Sequence, residues 1–456
     1  MKRGVWIGIG AGVVIIIVAV VLLLGRNKTV APTKATLTIW SPFDEGQVYQ
    51  KISQAWLAAN PTVTLDFKYV QATDAKDYEA QVVNAIANGT GPDIWLVRSD
   101  WLPKHADKSQ PAIVTGQTDA VKAAKQTIIP AVVDLNTFNK QLYGVPLFGD
   151  DLAIIYNTTL LAEWQSSLSG AQLALSQKFP TTWDDLKNQI AIFSQSKNGI
   201  VSRSALALGT TANTANPSDV LGAFLVQNGV TSILSSDNQS VAFNLPKVNA
   251  GLTSLPAIEA LSFYTSFATP GASNFSWTTN LGDPVTAFLN QKTDALIGYS
   301  STLQQIVNKN PSFTIGVAPL VQPKVTPGID RVDYGVTWSH LVAKNSPRPS
   351  LAWNYLGFLM GIDVQADYIN QTGRLTVAAS RGTTELGTSL AQAAIAKNQV
   401  FYPELATVQQ LTNPEWQFTS QVLQDTINLV INSGQSAQTA VDSAAARFKT
   451  QFLSGQ

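Results

Sequence analysis

Two neighbouring aspartates lie in the middle of a long apolar stretch. Asp150 and Asp151 separate an apolar run at 144–148 from a second one at 152–156, so a polar kink joins two strand-like segments. On an extended segment, adjacent side chains point to opposite faces. The two carboxylates are therefore not expected to act as a pair on one ligand. We predict that one faces a cleft between two bodies, while the other holds the connection between them.

Other reactive chemistry has little support in the sequence. The chain has no cysteine, which excludes disulfides, thiolate nucleophiles and Cys-ligated metals. Its two histidines, His105 and His340, are far apart and lack the spacing of metal ligands. No glycine-rich phosphate loop follows a strand. We predict no metal, no cofactor and no catalysis, although the many carboxylates leave a glycosidase, which needs two facing carboxylates, as an alternative.

Composition indicates a large globular protein with a neutral surface. The chain has 456 residues, enough for two or three domains, with 45% hydrophobic and 13% charged residues. Lysine plus arginine equals aspartate plus glutamate, 30 each, so the net charge is zero. Without a strong field, the protein is not expected to bind nucleic acid, and an uncharged ligand suits this balance.

The elements that would position these residues alternate between strand and helix. Strand-like runs at 36–40, 63–69 and 94–97 are separated by two segments with helical spacing. This βαβαβ order is typical of a parallel sheet with helices on its faces. Ligands of such sheets lie beyond the carboxyl ends of the strands, which here are residues 41–45 and 98–101.

Six stretches of the body are informative as a set: TIWSPFDEG (38–46), ANGTGPDIWLVRSDW (87–101), YGVP with IIYN (143–157), PTTWDDL (180–186), AFLNQKTDALIGYSS (287–301) and YGVTWSH (334–340). Together they resemble one protein family, the extracellular solute-binding proteins of ABC importers, and within it the sugar-binding, maltodextrin-binding-like class. The order and spacing of these stretches support the resemblance over nearly the whole body. One departure is Asn290-Gln291-Lys292, which stands where this class usually has a glycine turn.

The resemblance implies a ligand held between two lobes. Planar acids and arginines bind the hydroxyl rims of a sugar, and aromatic rings cover its C–H faces. Replacing Trp338 with alanine is expected to weaken binding far more than it destabilises the fold. The candidate ligand-binding residues are Phe43, Asp44, Ser99, Asp100, Trp101, Asp151, Trp277, Tyr299, Trp338 and Arg374.

The expected fold is a two-lobed α/β architecture of the type II periplasmic-binding-protein kind. Each lobe is predicted to be a parallel-rich sheet flanked by helices. Lobe 1 is predicted at 35–150 plus 317–372, and lobe 2 at 151–316 plus 373–456, with the C-terminal helices packed on lobe 2. The strand at 313–319 is expected to return the chain to lobe 1, and Gly373 to Leu375 to form the third passage between the lobes.

An N-terminal segment, residues 1–34, precedes the lobes. The 20 residues from Val5 to Leu24 carry no charge, which as a helix spans roughly 30 Å, the thickness of a bilayer core. This run is longer than a secretory hydrophobic region, and Pro32 disfavours cleavage after Ala31. We expect one retained transmembrane signal-anchor helix with the body on the extracytoplasmic side of the cell membrane, over the alternative of a cleaved signal peptide.

The predicted function is therefore that of a membrane-tethered binding protein. It would act as a monomer that captures a carbohydrate between hinged lobes and delivers it to the permease subunits of an ABC importer. Two alternatives remain: an extracytoplasmic enzyme acting on glycans, and a ligand sensor for a membrane partner. The sensor is favoured by Gly4, Gly8 and Gly12, whose spacing forms one helix face that a second membrane helix could contact.

Overall fold

The computed structural model describes residues 34–112, 118–249, 252–323, 331–379 and 400–454. The strands are β1 Ala35–Ser41, β2 Val63–Tyr69, β3 Ile94–Arg98, β4 Thr137–Phe138, β5 Gln141–Leu142, β6 Gly144–Asn157, β7 Gln195–Lys197, β8 Ile200–Arg203, β9 Lys247–Asn249, β10 Leu252–Ser254, β11 Ala295–Tyr299, β12 Ile315–Pro319, β13 Asp333–Val342, β14 Leu375–Thr376 and β15 Val408–Gln409. The helices are α1 Gly46–Ile52, α2 Gln54–Ala59, α3 Ala75–Ala87, α4 Leu102–His105, α5 Thr118–Thr127, α6 Pro130–Leu135, α7 Thr158–Ser167, α8 Gly170–Ser176, α9 Trp183–Phe193, α10 Pro217–Gln227, α11 Pro256–Ser266, α12 Pro284–Leu289, α13 Ser300–Val307, α14 Pro349–Leu359, α15 Ile362–Thr372, α16 Phe401–Glu404, α17 Trp416–Ile431 and α18 Ala437–Leu453.

Lobe 1 is built on the predicted βαβαβ unit. Strands β2, β1 and β3 pair in parallel, in that order, which confirms the prediction. The first four residues of β3 are buried, as expected for a strand covered by helices on both faces. Helix α3 begins where the Asp74 side chain accepts a hydrogen bond from the Asp77 amide, a standard N-cap. Strands β13 and β6 then extend the sheet in antiparallel fashion.

Strand β6 connects the two lobes. Its first half pairs with β13 in lobe 1, and its second half, from Leu152 onwards, pairs with β11 and β12 in lobe 2. The chain is therefore fully extended through Asp150 and Asp151, and the prediction of one extended segment passing between two bodies is confirmed.

The sheet of lobe 2 differs from the prediction. Strands β11 and β12 lie on either side of β6 and both run antiparallel to it. They are parallel to each other and joined through α13, so β6 is an antiparallel strand inserted into a βαβ unit. The expectation of a parallel-rich sheet was wrong for this lobe, because the strand that enters from lobe 1 pairs with both neighbours.

The two C-terminal helices pack on helices that follow the first passage between the lobes. Helices α17 and α18 pack against each other and against α10 and α11. Helix α10 also contacts β13 across the lobe boundary. At Gly222 there is little room for a side chain, since a Cβ there would lie 3.2 Å from the hydroxyl of Tyr334 and the ring would have to shift by a few tenths of an ångström.

The second and third passages between the lobes lie later in the chain than predicted. Strand β12 still pairs with residues 153–157 of β6 in lobe 2, so the chain returns to lobe 1 only before β13. Strand β14 pairs with Phe148 and Gly149 in lobe 1, and the chain re-enters lobe 2 after α16, where Thr412 forms a bridge with Ser232. The predicted returns at 317 and 373 missed these pairings, which depend on contacts distant in sequence.

The predicted N-terminal anchor at 1–34 lies, except for its last residue, outside the described part of the chain. Among the helices that the structure describes, none has the length and apolar character needed to cross a bilayer.

Candidate functional site

Strand β6 separates two faces at the lobe boundary. Phe148 and Asp150 point to what we call the front face, and Gly149 and Asp151 to the back face. In the neighbouring strand, Trp338 is paired with Phe148 and Val336 with Asp150, so these residues share the front face. The front face is the floor of the cleft between the lobes.

A polar network joins the lobes across the cleft. Arg98 at the end of β3 donates two hydrogen bonds to Asp100, at 3.0 and 2.5 Å, and its Nη2 lies 3.4 Å from Oδ2 of Asp219 in lobe 2. The hydroxyl of Tyr299, also in lobe 2, donates to the same Asp219 oxygen at 2.7 Å. One arginine therefore pairs with an acid from each lobe.

Burial shapes the ionisation of this network. Burial raises the pKa of Asp100, and the Arg98 guanidinium opposes that rise. Burial also raises the pKa of the Tyr299 phenol, which stays protonated and able to donate. On the floor, burial raises the pKa of Asp150, while the hydroxyl of Ser300, which donates to it at 2.7 Å, opposes the rise.

Cavity A, with a volume of about 570 Å³, lies between the two lobes beside Asp150. Lobe 1 contributes Asp44, Glu45 and Arg374, and lobe 2 contributes Ser300, Ser301 and Gln304. Acid, amide, hydroxyl and guanidinium groups thus converge from both sides.

Arg374 is the cation of cavity A, and its surroundings hold it in place. Its Nη2 lies 2.7 Å from Oε1 of Glu45, whose other oxygen accepts from the Tyr368 hydroxyl at 2.8 Å. The guanidinium stacks over two rings, 4.3 Å from the centre of Phe43 and 4.1 Å from that of Phe148. The planar group is therefore fixed before any ligand arrives.

Cavity B, of about 680 Å³, lies at the carboxyl end of β11 and adjoins cavity A at Ser301. Tyr299 lines it together with the polar loop 212–216 and the start of α12. Asn213 is fixed in this loop, because its amide nitrogen donates to the carbonyls of Thr278 and Gly282.

Cavity C, of about 890 Å³, lies beyond Arg98. Trp101 and Lys104 of lobe 1 face Trp416 of lobe 2 across it. Lys104 bridges the lobes, with its Nζ 2.9 Å from Glu79 and 2.8 Å from Glu415.

The structure brings most of the predicted site residues to the cleft. Asp44 and Arg374 line cavity A, Tyr299 lines cavity B and Trp101 lines cavity C, while Asp100 holds Arg98. Phe43 and Trp338 pack as neighbours, with ring centres 5.2 Å apart, and support the Arg374 and Trp101 side chains.

Three predicted site residues lie elsewhere. Trp277 is fully buried in the core of lobe 2, where its indole nitrogen donates to Asn213. Asp151 is fully buried on the back face, because its neighbour Asp150 takes the front position. Ser99 is buried and accepts hydrogen bonds from the Thr337 amide and the Gln410 side chain, so its oxygen is engaged in packing the sheet.

The sequence reading missed several cleft residues. Asp219 has a weak signal, since it follows Pro217 in the first turn of α10, where an acid is common for helix stability alone. Glu45 and Ser300 directly follow predicted site residues, and only the structure shows that their side chains reach the cavity. Asp150 could not be separated from Asp151 without the strand register.

The chain matches the family model described as bacterial extracellular solute-binding protein over residues 40–366. A binding protein of Brucella abortus strain 2308 is 24% identical over 361 residues, which cover 78% of this chain and 79% of the relative.

Solved structures share the fold. A cyclic alpha-maltosyl-1,6-maltose binding protein from Arthrobacter globiformis superposes with a TM-score of 0.70 at 20% identity, covering 91% of this chain and 98% of that one. An ABC transporter solute-binding protein from Thermotoga lettingae, bound with alpha-D-tagatose, superposes with a TM-score of 0.63 at 18% identity. The match covers 91% of this chain and 99% of that one.

Proposed function

This chain belongs to the bacterial extracellular solute-binding protein family, and from that premise we propose that it captures a carbohydrate between its two lobes for an ABC importer. The lobes close on the ligand by bending at the three passages that join them. The closed form docks on the permease subunits and releases the sugar there.

The Arg98–Asp219 contact is the observation that favours this function most. It places donors and acceptors of both lobes within one network, at the point where cavities B and C meet the lobe boundary. A ligand shifts a protein towards a closed state only if it binds that state more tightly than the open one. Groups from both lobes that reach one ligand supply this difference.

The chemistry of the cleft suits a neutral sugar. Carboxylates and a fixed guanidinium offer paired acceptors and donors for hydroxyl groups, while Trp101 and Trp416 in cavity C offer rings for C–H faces. The cavity volumes fall within the range of about 300–1,000 Å³ typical of small-molecule sites. The sugars named for the similar solved structures point the same way.

The cellular setting is part of the same proposal, supported by the family for the extracytoplasmic body and by the sequence of the N-terminal segment for the tether. We place the body outside the cytoplasm as a monomer, tethered by the uncharged segment from Val5 to Leu24. Within the body, we propose three crossings between the lobes, at Asp150–Asp151, before β13 and after α16. The pairing of β6 with β13 in its first half and with β11 and β12 in its second half supports them.

A ligand panel tests the proposal. Tryptophan fluorescence and thermal shift of the protein from Ala35 onwards would be followed against neutral sugars, with 10 tryptophans available to report closure, because Trp6 is the only one of the 11 that precedes Ala35. A saturable response without product formation is expected for at least one sugar. Release of a cleaved product would instead indicate an enzyme. The absence of any fluorescence or thermal response to every sugar would contradict a carbohydrate ligand.

A further inference from the structure

A cluster of charged side chains lies on the back face, where all three passages between the lobes meet. The first passage contributes Asp151 from β6. The second contributes Arg331 and Asp333 at the start of β13, and the third contributes Glu404 at the end of α16. All three carboxyl groups are buried, Asp151 and Asp333 completely.

Among the described residues, Arg331 is the one cation of this cluster, and it does not pair with all three acids. Arg331 lies 2.7 Å from Asp333 and 2.9 Å from Oε1 of Glu404. The Thr407 hydroxyl donates to the second oxygen of Asp333 at 2.7 Å. Asp333 is therefore fully paired, and Glu404 is paired on one side.

Asp151 and the remaining oxygen of Glu404 have no donor among the described residues. Both oxygens of Asp151 and Oε2 of Glu404 are buried without a hydrogen-bond partner of the ordinary donor–acceptor kind. Helix α16, which ends at Glu404, packs on β6, the strand that carries Asp151, and after burial the negative charge of Glu404 raises the pKa of Asp151. Two neighbouring carboxylates that are both buried are costly to ionise together, but one shared proton allows one of them to donate a hydrogen bond to the other.

We propose that Asp151 and Glu404 share one proton, and that loss of this proton at alkaline pH releases the hinge from the lobe arrangement seen here. The pair forms only when the first and third passages lie side by side. Ionisation of both groups places two like charges in a buried site, and a change of hinge angle that separates or hydrates them removes that repulsion.

The surroundings favour proton retention. Burial, followed by the negative charge of Glu404, raises the pKa of Asp151, and burial followed by the charge of Asp333 raises that of Glu404. Other charged groups facing the pair are Asp150 across β6, Arg331, which lowers the pKa of Glu404, and Asp134, which lies with Arg331 at the rim of a cavity of about 440 Å³.

The stability of the fold should report the proton directly, without any ligand. An acid with a raised pKa holds its proton in the folded state between the ordinary carboxyl value of about 4 and the raised value. Over that window the fold loses stability as pH rises, and the unfolding constant grows by up to about tenfold per pH unit. Asp151→Asn should remove this dependence, because an amide donates to Glu404 at every pH.

Chemical unfolding between pH 5 and 10 would compare the native chain with Asp151→Asn and Glu404→Gln, and with Asp66→Asn on the exposed face of β2 as control. We expect both back-face variants to show a flatter profile than the native chain and the control. An unchanged slope in Asp151→Asn would overturn the shared proton. If that variant does not fold, Glu404→Gln, which keeps an acceptor for Arg331, decides the question.

The hinge effect has its own readout. Because the chain lacks cysteine, Gln50→Cys in lobe 1 and Lys309→Cys in lobe 2 can carry a donor and acceptor dye. The distance between the dyes, measured without ligand from pH 6 to 10, should change in the native sequence and stay constant with Asp151→Asn. A constant distance in both would overturn the hinge effect. Neither readout involves a sugar, so failure here is separate from failure of the carbohydrate proposal.

Discussion

The two faces of β6 carry neighbouring acids in opposite situations. On the front face, Asp150 lines a cavity, accepts a hydrogen bond from Ser300 of lobe 2 and lies among groups that a ligand can reach. On the back face, Asp151 is fully buried, and no donor among the described residues reaches either of its oxygens. Two adjacent residues therefore lie on opposite sides of the strand, one at a polar, accessible surface and one in a buried site.

This difference shows how one strand serves two tasks. Side chains alternate along an extended chain, so the same passage between the lobes supplies recognition groups on one side and hinge groups on the other. Ion pairs that join the lobes, such as Arg98–Asp219 and Lys104–Glu415, lie on the side of the cleft. The carboxyl cluster behind them joins the three passages.

The largest loss of folding stability is expected from removing Arg98, the cation of the polar network that joins the lobes, which we call the front network. Arg98→Ala leaves Asp100 and Asp219 buried without their partner. Breaking a buried pair in this way costs about 3–5 kcal/mol of unfolding free energy. Denaturant unfolding at pH 7 measures this loss of unfolding free energy.

Arg447→Ala is the control, since Arg447 also pairs with an aspartate, Asp425, at 2.7 Å, but on the partly exposed surface. Its loss should cost less than about 1 kcal/mol. Equal losses in the two variants would show that Arg98 is an ordinary surface arginine and that the front network is not a buried site.

A smaller effect, confined to binding, is expected from Asp219→Asn. Tyr299 can still donate to the amide oxygen and Arg98 keeps Asp100, so the fold is largely retained. A hydrogen bond to a charged group contributes about 1.5–3 kcal/mol, which predicts a loss of sugar affinity of about 10- to 100-fold. Calorimetric titration measures this loss, with Asp425→Asn as the reference. Unchanged affinity would place the ligand away from the network.

The smallest effects compare the two neighbouring acids themselves. Asp150→Asn should weaken sugar binding about tenfold through the lost charge on the cleft floor. Asp151→Asn should leave affinity at pH 7 within about twofold, since an amide replaces a protonated carboxyl. The same titration checks both variants. If Asp151→Asn proved the more damaging to affinity, the assignment of front and back faces would be wrong.

The local pattern of the chain predicted much of the fold. The βαβαβ unit and the extended passage through Asp150 follow from strand and helix periodicity, which depends on nearby residues. The lobe limits near 317 and 373 were missed, because β12 and β14 are placed by pairing with distant β6. The prediction of Trp277 as a ligand-binding residue failed for a related reason. A tryptophan after a polar loop can turn into the core when a buried carbonyl accepts its N–H, and here the carbonyl of Asn213 does so.

Asp219 and the back-face cluster lay beyond the reach of sequence. Asp219 is 121 residues from Arg98, and Glu404 is 73 residues from Arg331, and neither pair has a local signature. These contacts form only in the folded protein, where segments that are distant in sequence lie side by side.

The distance between the lobes tests the account most directly. With dyes on Gln50→Cys and Lys309→Cys, a neutral sugar that binds should bring the population to a single distance, with a saturable dependence on its concentration. The same sugar should act on Asp219→Asn only at about 10- to 100-fold higher concentration. A sugar that binds tightly while leaving the lobe distance unchanged, or that closes both proteins at equal concentration, would contradict capture between the lobes.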